Sequence, residues 1–233
     1  MTGRSIRAVV VADGAVPERV TLDAAWPGWS DGVSLVVAAD GGARGAARLG
    51  LTIDRWVGDG DSLTEEELAE VAAAGVPIER SPVDKDESDA ELAVVAAVRL
   101  GASDVTILGA LGGDRIDHAL ANVALLAHPA LVGRPARLLD AAARLRLVDA
   151  PAPDGGPVAL SLEGRVGDGV SLLPLGSDVH GVTTLGLRFP LSDEDLRFGA
   201  ARGLSNVRLS AAAGLTVRIG RLLVVETTAT LFP

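Results

Sequence analysis

Short apolar runs, each closed by a turn rich in Asp or Gly and followed by a helix-like stretch, constrain this chain most. Ile6 to Ala12 is a β-rich run closed by Asp13-Gly14, and Ser34 to Ala39 is a second, closed by Asp40-Gly41-Gly42. Ile53 to Val57 leads into Gly58-Asp59-Gly60-Asp61-Ser62, and Val105 to Leu108 ends in the glycine-rich turn Gly109 to Gly113. Helix-like stretches follow or separate them: Ala43 to Leu49, Thr64 to Ala74, Asp89 to Leu100 and Arg115 to Ala127. Thr64 with Glu67, and Ser88 with Glu91, have capping-box spacing, while Gly75 and Gly101 stop their helices. The alternation predicts a mostly parallel α/β, Rossmann-like domain over residues 1–150. In such a sheet the ligand sits at the carboxyl ends of the strands. The turns carrying Asp40, Asp59 with Asp61, and Arg115 all fall there.

After Asp149 the pattern changes. Pro151, Pro153, Gly155, Gly156 and Pro157 read as a linker. Beyond them, Val170 to Leu175, Val182 to Leu187, Leu215 to Ile219 and Leu222 to Glu226 are strand-like runs with little helical period. Gly220-Arg221 reads as a tight hairpin turn between the last two. Residues 155–233 are therefore expected to form an antiparallel β-sandwich. A hydrophobic content of 48 % over 233 residues is ample for the cores of both parts. The formal charge of −10 argues against a nucleic-acid scaffold, which needs a basic footprint. With no cysteine there is neither a disulfide framework nor a thiolate metal site. The amino-terminal residues lack a signal-peptide pattern and no run approaches a membrane span, so a soluble cytoplasmic protein is expected.

The chemistry concentrates in the acidic turns. On an extended backbone Asp59 and Asp61 point the same way, and two carboxylates held that close call for a cation between them. Mg²⁺ suits such a pair, completing its shell with water and phosphate oxygens; the competing reading is a plain Asp/Gly turn. In Asp84-Lys85-Asp86-Glu87-Ser88-Asp89 the acids complement a helix N-terminus. Lys85 fits there less well unless an anion such as phosphate lies between it and the helix. In Gly112-Gly113-Asp114-Arg115-Ile116-Asp117-His118 the glycines permit close backbone approach, and Arg115 offers a fork suited to phosphate. Asp117 either orients Arg115 or reaches a metal. His118 and Asn122 read first as structural hydrogen bonders. No Walker loop, no G-x-G-x-x-G at the first turn, no nucleophile elbow and no zinc motif occurs. The residues by themselves point to Mg²⁺-dependent handling of a nucleotide polyphosphate.

At these positions the chain resembles the thiamine pyrophosphokinase (thiamine diphosphokinase) family over nearly its whole length. The family's A-D-G-G-A block appears as Ala39 to Ala43, and its V-G-D-F-D-S block as Val57 to Ser62 with Gly60 in place of the aromatic residue. K-D-x-T-D appears as Lys85 to Asp89, with Ser88 for Thr; G-G-R-x-D-H-x-x-A-N appears as Gly112 to Asn122, lengthened by Asp114. Ser171 to Gly176, Gly186 to Leu191 and Gly203 to Asn206 resemble later blocks. The resemblance implies an α/β domain followed by a β-sandwich that binds thiamine and dimerises, with active sites between the subunits of a homodimer. It implies transfer of diphosphate from ATP to the hydroxyethyl oxygen of thiamine, giving thiamine diphosphate and AMP. Asp59, Asp61 and Asp89 would be the catalytic and Mg²⁺-holding acids. Asp40, Lys85, Asp86, Arg115, Asp117, His118 and Asn122 would form the ATP site, and Ser205 with Asn206 the thiamine site. Phe189 is one candidate for the ring that stacks on thiamine. Two rival readings are a metal-dependent phosphohydrolase, which acidic clusters beside Asp117-His118 also suit, and a non-enzymatic nucleotide- or thiamine-sensing module.

Overall fold

Parallel strands covered on both faces need unbroken apolar runs, and the first half of the chain supplies them. The computed structural model describes residues 5–229, so the outermost ends of the two expected domains, residues 1–4 and 230–233, lie outside the described residues. The first unit runs β1 (Ile6–Val11), α1 (Arg19–Ala25), β2 (Val33–Ala39), α2 (Gly42–Arg48), β3 (Arg55–Gly58) and α3 (Glu65–Ala73). It continues with β4 (Ile78–Arg80), α4 (Asp89–Arg99), β5 (Ala102–Leu108), α5 (Ile116–Leu125) and β6 (Ala136–Leu139). Its strands lie in the order β6-β5-β1-β2-β3-β4, and every neighbouring pair is parallel. Val9, Val10, Val11, Val37 and Ala38, from the two central runs, are fully buried.

The caps form much as their spacing implies. Thr64 and Glu67 make a reciprocal box, each side chain accepting the other's backbone N–H, at 3.2 and 2.8 Å. Ser88 caps α4 by accepting from the Glu91 N–H at 3.1 Å. Helix α1 falls in the Pro- and Trp-rich stretch between β1 and β2. Its seven residues bury only Leu22, too little for a helical period to register. The neighbouring tryptophans complete the cluster: Trp26 and Trp29 pack with Val9, Leu22 and Val36. Their ring N–H groups donate to Asp140 O and Asp23 Oδ1, both at 2.7 Å.

The chain divides between Ala141 and Ala142, ahead of the Pro/Gly tract. The second unit starts with β7 (Ala143–Ala150), β8 (Val158–Leu162), β9 (Gly169–Pro174) and β10 (Val179–Leu185). It ends with β11 (Glu194–Leu196), β12 (Asn206–Val207), β13 (Ala213–Val217) and β14 (Gly220–Thr227). Strand β7 belongs here because it pairs with β14 from Ala143 to Ala150. The tract expected to be a linker is the turn between β7 and β8, closed by Ala152 N–H to Gly156 O at 2.8 Å. Two antiparallel sheets result, β12-β9-β14-β7 and β11-β10-β13-β8. Val148, Leu172, Val182, Leu215, Val217, Leu222 and Val224 pack together between them. The hairpin expected at Gly220-Arg221 is absent, since β13 pairs with β8 and β10 while β14 pairs with β7 and β9. Gly220, at φ +105, instead begins the strand that crosses to the other sheet. Inside this unit the Glu226 carboxylate, almost fully buried, accepts from Arg144, Arg146 and the Glu163 N–H. Among the described residues no helix is long and apolar enough to cross a membrane.

Candidate active site

The strand order of the first unit reverses between β1 and β5, and an open α/β sheet leaves a crevice at such a switch point. Here the crevice floor is backbone. Ala12 N–H donates to Leu108 O at 2.8 Å and Gly14 N–H to Gly109 O at 3.0 Å. A Cβ on Gly14 would lie 2.2 Å from Gly109 O and 2.3 Å from Gly112 O, so only glycine lets the two turns touch. Above this floor opens a cleft of about 370 Å³. Its walls carry Asp13, Asp40, Asp61, Ser88, Asp89 and Asp114, and on the α5 side Arg115, His118 and Asn122.

Asp40 is the most constrained of these residues. It follows β2 with φ +43, a left-handed conformation uncommon outside glycine. Its N–H donates to Val57 O at 2.8 Å, and its carbonyl accepts the indole N–H of buried Trp56 at 3.0 Å. Gly58 makes the room, because a Cβ there would sit 2.9 Å from the Asp40 Cβ. Asp40 Oδ2 accepts from the N–H groups of Gly60 at 3.3 Å and Ser62 at 3.5 Å. Burial lifts its pKa from 3.8 to about 6, against the Ser62 N–H and with help from the negative charges of Asp89, Asp61 and Asp59.

Asp59, just after β3, and Asp89, in the first turn of α4, meet Asp40 at the carboxyl edge, where one oxygen from each of the three lies within 4.8 Å of the others. The Lys85 ammonium stands between two of them, 2.8 Å from Asp59 Oδ2 and 3.1 Å from Asp89 Oδ1. Lys85 thereby holds the Asp59 carboxyl below its ordinary range, despite burial. Burial raises Asp89, only partly offset by Lys85. Burial alone would lower Lys85, but its two carboxylate partners outweigh that and raise it. Asp40 Oδ1 is buried with no hydrogen-bond partner, while Asp89 Oδ1 is answered by the Lys85 ammonium alone. An orphaned buried oxygen in a set of three converging carboxylates fits a hard divalent cation such as Mg²⁺.

The other expected site residues scatter around this centre. Asp61 is not one of the three converging acids. Gly60 has φ +85 and the Asp61 N–H donates to Asp59 Oδ1 at 3.1 Å, so the segment is a turn rather than the extended stretch that would align the pair. Asp61 lines the cleft and accepts from Ser62 Oγ at 3.2 Å. Arg115 and Asp117 form a two-point pair at 3.0 and 2.7 Å at the exposed rim, which keeps the Asp117 carboxyl well below its usual range. Buried Asn122 donates to Ala110 O at 3.0 Å and ties α5 to the turn after β5. Asp86 is exposed and lies outside the cleft lining.

Ser205, at φ +57, and Asn206 belong to the second unit. The Asn206 amide is spent on backbone: Oδ1 accepts from Phe189 and Val207 N–H, both at 2.9 Å, and Nδ2 donates to Phe189 O at 2.7 Å. The Phe189 ring is left 54 % exposed. Asp13, Ser88 and Asp114 line the cleft without having been singled out as site residues. For Asp13 the signal was available, since it ends the first strand just as Asp40 ends the second.

A parallel α/β unit with a carboxylate-lined cleft at its switch point, followed by an antiparallel β-sandwich, defines a two-unit enzyme class. The family model "Thiamin pyrophosphokinase, catalytic domain" matches residues 29–135, and "Thiamin pyrophosphokinase, vitamin B1 binding domain" matches residues 158–224. The chain belongs to the thiamin pyrophosphokinase family. It is 25 % identical over 201 residues to the thiamine pyrophosphokinase of Bacillus subtilis, spanning 86 % of this chain and 91 % of that one. The crystal structure of the Bacillus subtilis protein superposes with a TM-score of 0.79 at 24 % identity, over 95 % of this chain and 99 % of that one. A family protein from Enterococcus faecalis gives 0.77 at 26 % identity, over 96 % and 99 %.

Proposed function

We propose that this chain transfers diphosphate from ATP to the hydroxyethyl oxygen of thiamine, releasing AMP and thiamine diphosphate. The observation that carries the reading is the convergence of Asp40, Asp59 and Asp89 at the carboxyl ends of β2 and β3, with Lys85 between Asp59 and Asp89. Asp40, Asp59 and Asp89 would hold Mg²⁺, which when bound would offset phosphate charge. Lys85 and Arg115 contact phosphates; Asp117 aims the Arg115 fork, and Asn122 fixes the start of α5 that carries Arg115 and His118 to the cleft. Asp61, a cleft carboxylate outside the converging three, accepts the hydroxyl proton as the oxygen attacks. Most of the rate comes from position and charge rather than covalent chemistry.

The thiamine side of the proposal rests on the second unit, whose match to a vitamin B1 binding domain includes Phe189, Ser205 and Asn206. A cationic heterocycle is attracted to an open aromatic face, and Phe189 offers one, with Asn206 holding its backbone. A homodimer in which a partner copy supplies these contacts completes the proposal.

Purified protein incubated with ATP, Mg²⁺ and thiamine tests it. AMP and thiamine diphosphate should appear together, and only when all three are present. Phosphate release from ATP without thiamine would favour a hydrolase, and ligand binding without turnover a sensing module.

A further inference from the structure

The cleft is short of positive charge. Asp13, Asp40, Asp61, Asp89 and Asp114 line it, Lys85 is held between two carboxylates, and Arg115 is committed to Asp117. A nucleoside triphosphate brings more negative charge to the same place. Arg44, four residues beyond Asp40, is paired with Glu67, but a further cation at this edge is not so committed. Arg80 ends β4, in register with Gly58 of β3, so its side chain reaches the Asp59-Gly60-Asp61 turn. Its guanidinium lies over Gly60, with Nη2 3.1 Å and Nε 3.6 Å from the point a Cβ would occupy. It is exposed, and no hydrogen bond or ion pair joins the guanidinium to another described residue. An unpaired planar fork beside a polyphosphate cleft is suited to gripping two phosphate oxygens at once. The absent side chain at position 60 leaves it the space.

We propose that Arg80 binds the transferred phosphates of the nucleotide from the open side of the Asp59–Asp61 turn, and that Gly60 is the opening through which it does so. This rests on the ATP reading above. Calorimetry with ATP and with AMP, each in Mg²⁺, separates the two claims when run on the wild type, Arg80→Ala, Arg80→Gln and Arg80→Lys. Arg80→Ala and Arg80→Gln should weaken ATP about tenfold or more, the loss of a charge-assisted pair of hydrogen bonds. AMP affinity and the thiamine KM should stay put, and Arg80→Lys should recover part of the loss. Because the guanidinium is exposed and unpaired, the variants should melt with the wild type. Unchanged ATP affinity in Arg80→Ala, or equal losses for AMP and ATP, overturns the role of Arg80 alone. A wild type that binds no ATP overturns both readings.

Discussion

Asp40 combines a left-handed backbone, near-total burial and a carboxyl lifted from 3.8 to about 6. A carboxyl whose folded value exceeds its unfolded one supports the fold while protonated. That support is complete below about 3.8 and disappears as pH rises through about 6. Asp40→Asn, which keeps the shape and tolerates positive φ, should therefore be more stable than the wild type at pH 7.5 in metal-free buffer. The gain should reach at most about 3 kcal/mol and shrink to nothing by pH 3.5; thermal melts across that range check it. Adding Mg²⁺ should raise the wild-type melting temperature and leave Asp40→Asn unmoved. Asp89→Asn should stop turnover with the fold intact by circular dichroism. Lys85→Ala should raise the KM for ATP more than that for thiamine, as steady-state kinetics would register. Acidic turns at strand ends are legible in the sequence, but their partnership is not. Asp59 and Asp61 look aligned only if the backbone between them is extended, and Gly60 bends it. The Asp40 position depends on an indole and a glycine sixteen and eighteen residues further on.

At the scale of elements, the tight approach of β3 to the end of β2 holds the site. Gly58→Ala would drive a methyl group into the Asp40 side chain at 2.9 Å. It should cost stability and abolish Mg²⁺ binding together, measurable by calorimetry on protein that still melts cooperatively. Thr64→Ala removes one half of the α3 box and should cost about 1 kcal/mol in urea unfolding while leaving both KM values alone. The long buried runs, β1 and β2, and the capped helices α3 and α4 are readable from pattern because period and cap agree. The short pieces are not. Strand β4 has three residues and α1 a single buried one, so neither carries a period. The Pro/Gly tract after Ala150 has the composition of a linker, yet pairing of β7 with β14, some eighty residues apart, decides where the second unit begins. No local signal reports a partner that distant.

For the whole molecule, the sandwich depends on one internal charge cluster as well as on its apolar core. Glu226 answers the buried Arg144 guanidinium, the partly buried Arg146 guanidinium and a backbone N–H. Glu226→Gln would leave Arg144 and Arg146 under-compensated and should cost about 3 kcal/mol or more, read as an earlier denaturation midpoint. The proposed homodimer predicts twice the chain mass in sedimentation equilibrium at micromolar concentration, and a monomer there would count against shared thiamine contacts. The clasp on Phe189 has one more consequence. Asn206 grips the main chain on both sides of that residue and makes no demand on the ring itself. The side chain at 189 is thus an interchangeable fitting on a fixed mount. Under the proposed thiamine contact, exchanging it for Trp, Tyr or His should retune which vitamin analogues are taken up while the surrounding loop keeps its path.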